Sequence, residues 1–185
     1  ELGETRGDLL MRHVVTIDGP AGSGKSTVAR IVAERLGWRL LDTGAMYRSV
    51  ALAAIRAGID LADQEALGDL ADRLTVSLPP GQVLLNGQDV SREIRSVEVT
   101  RVTRFAAETP RVRQRLAAWQ RAFAAENDTI TEGRDQGTIV FPHASCKFFL
   151  TADPNERARR RHAEFLRRGE SISFEEVLRD QQQRD

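Results

Sequence analysis

Residues 13–18, HVVTID, form an apolar, β-branched run that stops at a Gly-Pro pair, the pattern of a buried strand. Residues 24–36 then place apolar side chains at Val28, Ile31, Val32 and Leu36. That is helical spacing, and Gly37 supplies the residue at which a helix ends. A short second strand is predicted at 39–41. Thr43 precedes a further helix over about 45–57, closed by Gly58. Strand, loop, helix and strand in this order begin an α/β fold with a parallel sheet.

The middle of the chain changes rhythm. A helix over 63–73 is followed by LTVSL at 74–78 and QVLLNG at 82–87, two short strands joined by Pro79-Pro80-Gly81. Alternating runs around such a turn predict a small hairpin standing off the main sheet. Helices follow at 97–107 and 110–125, with Pro110 suited to a first helical position. The runs 129–131 and 147–150 (KFFL) return to buried-strand character. Helices at 154–168 and 174–183 flank a break at Gly169. There is no internal repeat and no low-complexity segment.

Composition narrows the function classes. The length of 185 residues suits one domain. The 27 basic residues balance 27 acidic ones, and aromatics make up 5%, which together argue against a nucleic-acid binder or a base-stacking platform. Within that balance the basic residues are almost all arginine: Lys25 and Lys147 are the only lysines. The single cysteine, Cys146, excludes an internal disulfide framework and a cysteine-rich zinc site. No apolar run approaches the roughly 20 residues of a membrane helix, and the first dozen residues lack the apolar core of a secretory signal. The expectation is a cytoplasmic protein without a membrane partner. Residues 1–12 are read as an N-terminal extension with no assigned role.

The strongest chemical signal is Gly19-Pro20-Ala21-Gly22-Ser23-Gly24-Lys25-Ser26, followed by Thr27, which matches the phosphate-binding P-loop G-x-x-x-x-G-K-[ST]. Its glycines let successive backbone N–H groups converge on phosphate oxygens at the positive end of the following helix. Lys25 is placed to reach the β- and γ-phosphates, and the Ser26 hydroxyl to ligate Mg²⁺. GTPases, ATP-driven motors and small-molecule kinases all use such a loop. The base-reading N/T-K-x-D element of GTPases is absent, since Lys147 is followed by Phe148 and Phe149. A motor ATPase is usually longer, which leaves a compact kinase.

An anionic acceptor calls for permanent positive charge, and arginine supplies it with a fixed fork of donors. Three groups stand out. Arg48 ends Leu41-Asp42-Thr43-Gly44-Ala45-Met46-Tyr47-Arg48. Arg134 and Asp135 sit just past the strand at 129–131, where α/β sheets place ligands. Six arginines lie between Arg157 and Arg168, of which Arg157, Arg160, Arg161 and Arg168 fall on roughly one helix face. Each also has an ordinary reading: a surface arginine, a loop ion pair, a solvated helix face.

The combination IDGPAGSGKST, LDTGAMYR, DVSREIRS, PRVR and GRDQGTIVFP, running from about residue 13 to the end, resembles the bacterial cytidylate kinases. The resemblance implies a parallel P-loop sheet flanked by helices, with a core over 13–59 and 96–153. It also implies a nucleoside-monophosphate-binding insert over about 60–95 and an arginine-bearing lid over about 154–170. It implies transfer of the ATP γ-phosphate to CMP or dCMP with Mg²⁺, by a monomer whose partners are small nucleotides. Thr43, Tyr47 and Arg48 would lie at the monophosphate, Arg113 and Asp135 at the cytosine, and Arg134 near the phosphate. Glu132 would order Mg²⁺-bound water. Arg160 and Arg161 of the lid, with Lys25 and Arg184, would surround the transferred phosphoryl group.

Two departures from the family pattern stand out. Arg104 replaces a small serine that helps at the base, which keeps a kinase of UMP or AMP as the alternative substrate reading. The family also continues past Asp185 with further substrate-directed residues, a strand and a helix. The C-terminal end is therefore expected to be missing, and a non-catalytic nucleotide-binding module is the alternative of a different class.

Overall fold

The computed structural model describes residues 12–167, 169 and 171–182. Strand β1 (Val14–Asp18) takes the β-branched run predicted for it, and its last three residues are buried. A tight loop leads to α1 (Lys25–Leu36), which ends on Gly37 in the left-handed conformation, φ 67°. Strand β2 (Arg39–Asp42) follows. Helix α2 (Thr43–Ala57) starts two residues earlier than its apolar pattern indicates, because the Asp42 carboxylate caps it by accepting the Ala45 N–H at 2.8 Å.

Next come α3 (Gln64–Arg73) and three two-residue strands, β3 (Val76–Ser77), β4 (Leu84–Leu85) and β5 (Gln88–Asp89), paired in that order as an antiparallel sheet. The expected hairpin is there, but β5 is an addition. Asn86 and Gly87 both have positive φ, 49° and 82°, the backbone of the two-residue turn that an Asn-Gly pair favours. A 3₁₀ turn (Glu93–Arg95) leads to α4 (Val97–Glu108) and α5 (Pro110–Glu126), and then to β6 (Thr129–Gly133). A wide, π-type turn (Gln136–Val140) precedes β7 (Cys146–Phe149), and α6 (Pro154–Arg167) and α7 (Phe174–Gln182) form a hairpin at the end.

The main sheet is parallel, in the order β2-β6-β1-β7. Strand alternation splits its apolar residues between two faces. Val14 and Leu41 join the large core built with α2, α4 and α5, around Val50, Leu67, Ile94 and Leu116. Ile17 and Ile130 pack with Ala29 and Ala33 of α1 on the other face. A third small core, Ala158, Phe165 and Val177, holds α6 to α7.

The KFFL run departs from expectation. All four residues of β7 are exposed, with Phe149 at 71%. Strand β7 lies at the sheet edge, pairing with β1 alone among the described strands. A short apolar run does not distinguish an edge strand from a central one. Register brings the ends of three strands level: Asp18 opposite Gly133, and Asp42 opposite Glu132. The loops that follow them open on one edge, where ligands of open α/β sheets lie. None of the described helices is long and apolar enough to cross a membrane.

Candidate active site

The loop Gly19–Gly24 runs from the end of β1 to the start of α1. Gly19, Gly22 and Gly24 all take positive φ. At Gly19 a Cβ would stand 2.0 Å from the Leu150 carbonyl oxygen, and at Gly22 it would meet the Arg157 backbone at 3.0 Å. Glycine is required at both for the chain to pass. Helix α1 has Gly24 at its cap and no capping side chain, so its first N–H groups face the loop.

Lys25 is 9% exposed and donates from Nζ to the Pro20 carbonyl at 2.7 Å. Burial pushes its ammonium below the ordinary lysine value. The Glu132 and Asp18 carboxylates oppose that shift, and Arg134 and Arg157 add to it. The ion thus sits at the loop already partly desolvated. Ser26 donates its hydroxyl to Glu132 Oε1 at 2.6 Å. Thr43 donates to the Glu132 carbonyl at 2.7 Å, tying the end of β2 to that of β6. Burial raises the Glu132 carboxyl above its ordinary value, and Asp42 raises it further. The Ser26 hydrogen bond, Lys25 and Arg48 pull it back.

These oxygens bear on the expected metal. Among the described residues no three His, Cys, Asp or Glu side chains gather as a cation cage. Ser26 and Glu132 do offer two adjoining hard oxygens beside Lys25. That set fits Mg²⁺, which keeps several waters and binds through one or two protein oxygens plus substrate phosphates.

Past the end of β6, Arg113 of α5 and Asp135 meet at 2.5 Å, Nη2 to Oδ2. Tyr47 on α2 shares their field. Burial raises its phenol, with Arg113 opposing and Asp135 adding. Arg134 is exposed, and its charge acts on Lys25. Arg48 approaches both oxygens of Asp42, at 3.5 and 3.4 Å. Arg95, from the turn before α4, stands 3.7 Å from the same carboxylate. Two arginines distant in sequence therefore converge on one anion at the strand ends.

Sequence reasoning overlooked both Asp42 and Arg95 as site residues, although each lies within a quoted motif. Asp42 reads as an ordinary helix cap, and nothing in the local pattern of Arg95 points to β2. Arg104 is exposed and lies over the Phe105 ring, its guanidinium carbon 4.8 Å from the ring centroid.

The single arginine face predicted for α6 resolves into three environments. Arg157 is 5% exposed and donates to the Ala152 carbonyl at 3.1 Å and to the Ala21 carbonyl of the P-loop at 3.2 Å. The bland reading of a solvated face fails for it. Arg160 is held by Glu156 at 2.8 Å, and its Nη1 lies 3.9 Å from where a Cβ of Gly24 would stand. Arg161 lies over the Phe165 ring at 5.2 Å. Arg168 and Arg184 lie outside the described residues.

The sequence profile of the family described as "Cytidylate kinase" matches residues 15–185. A cytidylate kinase of Rhodopirellula baltica is 50% identical over 172 residues, 93% of this chain and 75% of the relative. One from Pelotomaculum thermopropionicum is 48% identical over 176 residues, covering 92% and 78% of the two chains. One from Yersinia pestis is 47% identical over 176 residues, covering 93% and 76%.

Proposed function

The chain belongs to the cytidylate kinase family, ATP-dependent kinases of CMP and dCMP, and we propose that it performs this transfer in the cleft where β1, β2 and β6 end. The observation that carries the reading is the placement of two unlike groups on one sheet edge. The P-loop with Lys25 and Ser26 adjoins Glu132, while the Arg113–Asp135 pair lies just beyond β6 and Arg48 just beyond β2. The first suits a triphosphate; the second suits a monophosphate with a polar base.

The acceptor phosphate is already an anion and needs no strong base. Catalysis is then alignment and neutralisation of charge. Lys25 contacts the transferring phosphoryl group, and the backbone of residues 19–27 lines the donor phosphates through its N–H groups, which Pro20 alone lacks. Ser26 would hold Mg²⁺ directly and Glu132 through water; when bound, the ion supplies neutralisation of charge between the donor phosphates. Arg48 exchanges Asp42 for the acceptor phosphate, with Arg95 beside it and Thr43 and Tyr47 lining the same wall. Arg113 and Asp135 offer paired donors and acceptors to the cytosine edge, and Arg134 bridges toward the phosphates. Residues 60–95 form the acceptor-binding insert and 154–170 the lid. From the lid, Arg160 is the arginine beside the P-loop; Arg161 reaches the reacting group by leaving Phe165.

The reading of cytosine over uracil or adenine as the acceptor base rests on the paired Arg113 and Asp135, and Arg104 is exposed with its guanidinium over the Phe105 ring. A substrate panel with the full-length protein tests this. CMP and dCMP should exceed UMP and AMP in kcat/KM by at least about tenfold, the value of one lost buried hydrogen bond or more. Equal rates across the panel reject the base assignment, and ATP binding without ADP formation rejects catalysis.

A further inference from the structure

The last residue of β1 has no part in the scheme above. Asp18 is 7% exposed and stands one residue ahead of the P-loop. Its Oδ1 accepts the Gln136 N–H at 2.9 Å, and its Oδ2 accepts the Gly137 N–H at 2.8 Å. A carboxylate has two acceptor oxygens, and here each takes one of two successive backbone donors. Those donors open the wide turn Gln136–Val140, immediately after Arg134 and Asp135.

Packing at the turn points the same way. A Cβ on Gly137 would lie 2.7 Å from Thr16 Oγ1 and 3.3 Å from Asp18 Oδ2, so the turn presses onto β1 as closely as a glycine allows. The Gln136 side chain, in turn, accepts from the Thr131 hydroxyl at 3.0 Å, which locks the turn to β6. The main chain of β1 therefore leads into the donor loop, while its Asp18 side chain holds the acceptor loop.

We propose that Asp18 is a positioning residue that sets Arg134 and Asp135 in fixed register with the P-loop. In-line transfer needs reacting atoms held at about 3–3.5 Å, and one residue of β1 sets the spacing of the two loops. The proposal rests on the reading of Arg134 and Asp135 as acceptor-binding groups.

Asp18→Asn tests it in the full-length protein. The amide keeps one acceptor oxygen and turns an NH₂ toward a backbone N–H, so one of the two donors loses its partner. KM for CMP is expected to rise about tenfold or more, while the affinity for ATP, measured separately by titration, does not weaken. The Gln136 and Gly137 amide proton resonances should move upfield as their bonds to the carboxylate are lost. A role in folding alone would lower the melting temperature and the active fraction, hence kcat, and leave KM for CMP where it was; that result overturns the proposal. If Asp18→Asn does not fold, Gly137→Ala replaces it, since it keeps the carboxylate but pushes the turn off β1. An unchanged KM for CMP in that variant overturns the proposal equally. Asp135→Asn separates the two ideas. If it leaves KM for CMP unchanged, the acceptor assignment fails; if it raises KM while the Asp18 variant does not, only the positioning role fails.

Discussion

Replacing Lys25 with Ala removes the one lysine at the P-loop, and the structure sets the size of the loss. Its ammonium is nearly buried and fixed by the Pro20 carbonyl at 2.7 Å, so it meets a phosphate oxygen without having to be recruited from water. At an effective dielectric of about 20, a unit charge about 4 Å from another is worth about 4 kcal/mol. At about 1.4 kcal/mol per decade this corresponds to a fall in kcat/KM of about a thousandfold. The fold should change little. The variant loses a charged hydrogen bond worth about 1.5–3 kcal/mol, but it also relieves the burial that already pushes the ammonium down. A net change within about 2 kcal/mol shifts the melting temperature by no more than about 8 °C for a chain of this size. ADP release in the presence of CMP, read by a coupled assay beside a thermal melt, measures both. Turnover within tenfold of the parent in a folded variant would refute the P-loop assignment and the electrostatic reasoning with it.

Two further outcomes follow from the same geometry. Glu132 has its carboxyl raised, so the folded, ligand-free protein binds more protons than the unfolded chain between the ordinary value of 4.5 and the shifted one. Stability is therefore expected to rise as pH falls through that window, and Glu132→Gln should abolish this component of a pH series of urea melts. Arg157→Ala leaves the Ala21 and Ala152 carbonyls without its guanidinium and detaches α6 from the P-loop. A loss of about 3 kcal/mol, or about 6–12 °C in melting temperature, is expected together with weaker ATP binding; ATP affinity equal to the parent's would show that this contact does not shape the donor loop.

Much of this molecule is written locally. A β-branched run, three glycines, a lysine and a helical period specify β1, the P-loop and α1, because each depends on neighbours within a few residues. The same holds for Gly37, Gly58 and Pro110 as helix boundaries. Motif reading also named most of the residues proposed for the acceptor, since Tyr47 and Arg48 lie on one helical turn and Arg134 and Asp135 are adjacent. Other features depend on which strands become neighbours. KFFL has the pattern of an interior strand, and among the described strands the order β2-β6-β1-β7 leaves it at an edge. Arg157 resembles its neighbours in an arginine run until packing turns it onto Ala21, 136 positions earlier in the chain. Asp18 is one acidic residue before a glycine until parallel pairing brings Gln136 and Gly137 above it. Hydrophobic period and turn chemistry are short-range and survive in a linear pattern. The partner of a buried charge is chosen by sheet order and register, which bring together residues more than a hundred positions apart.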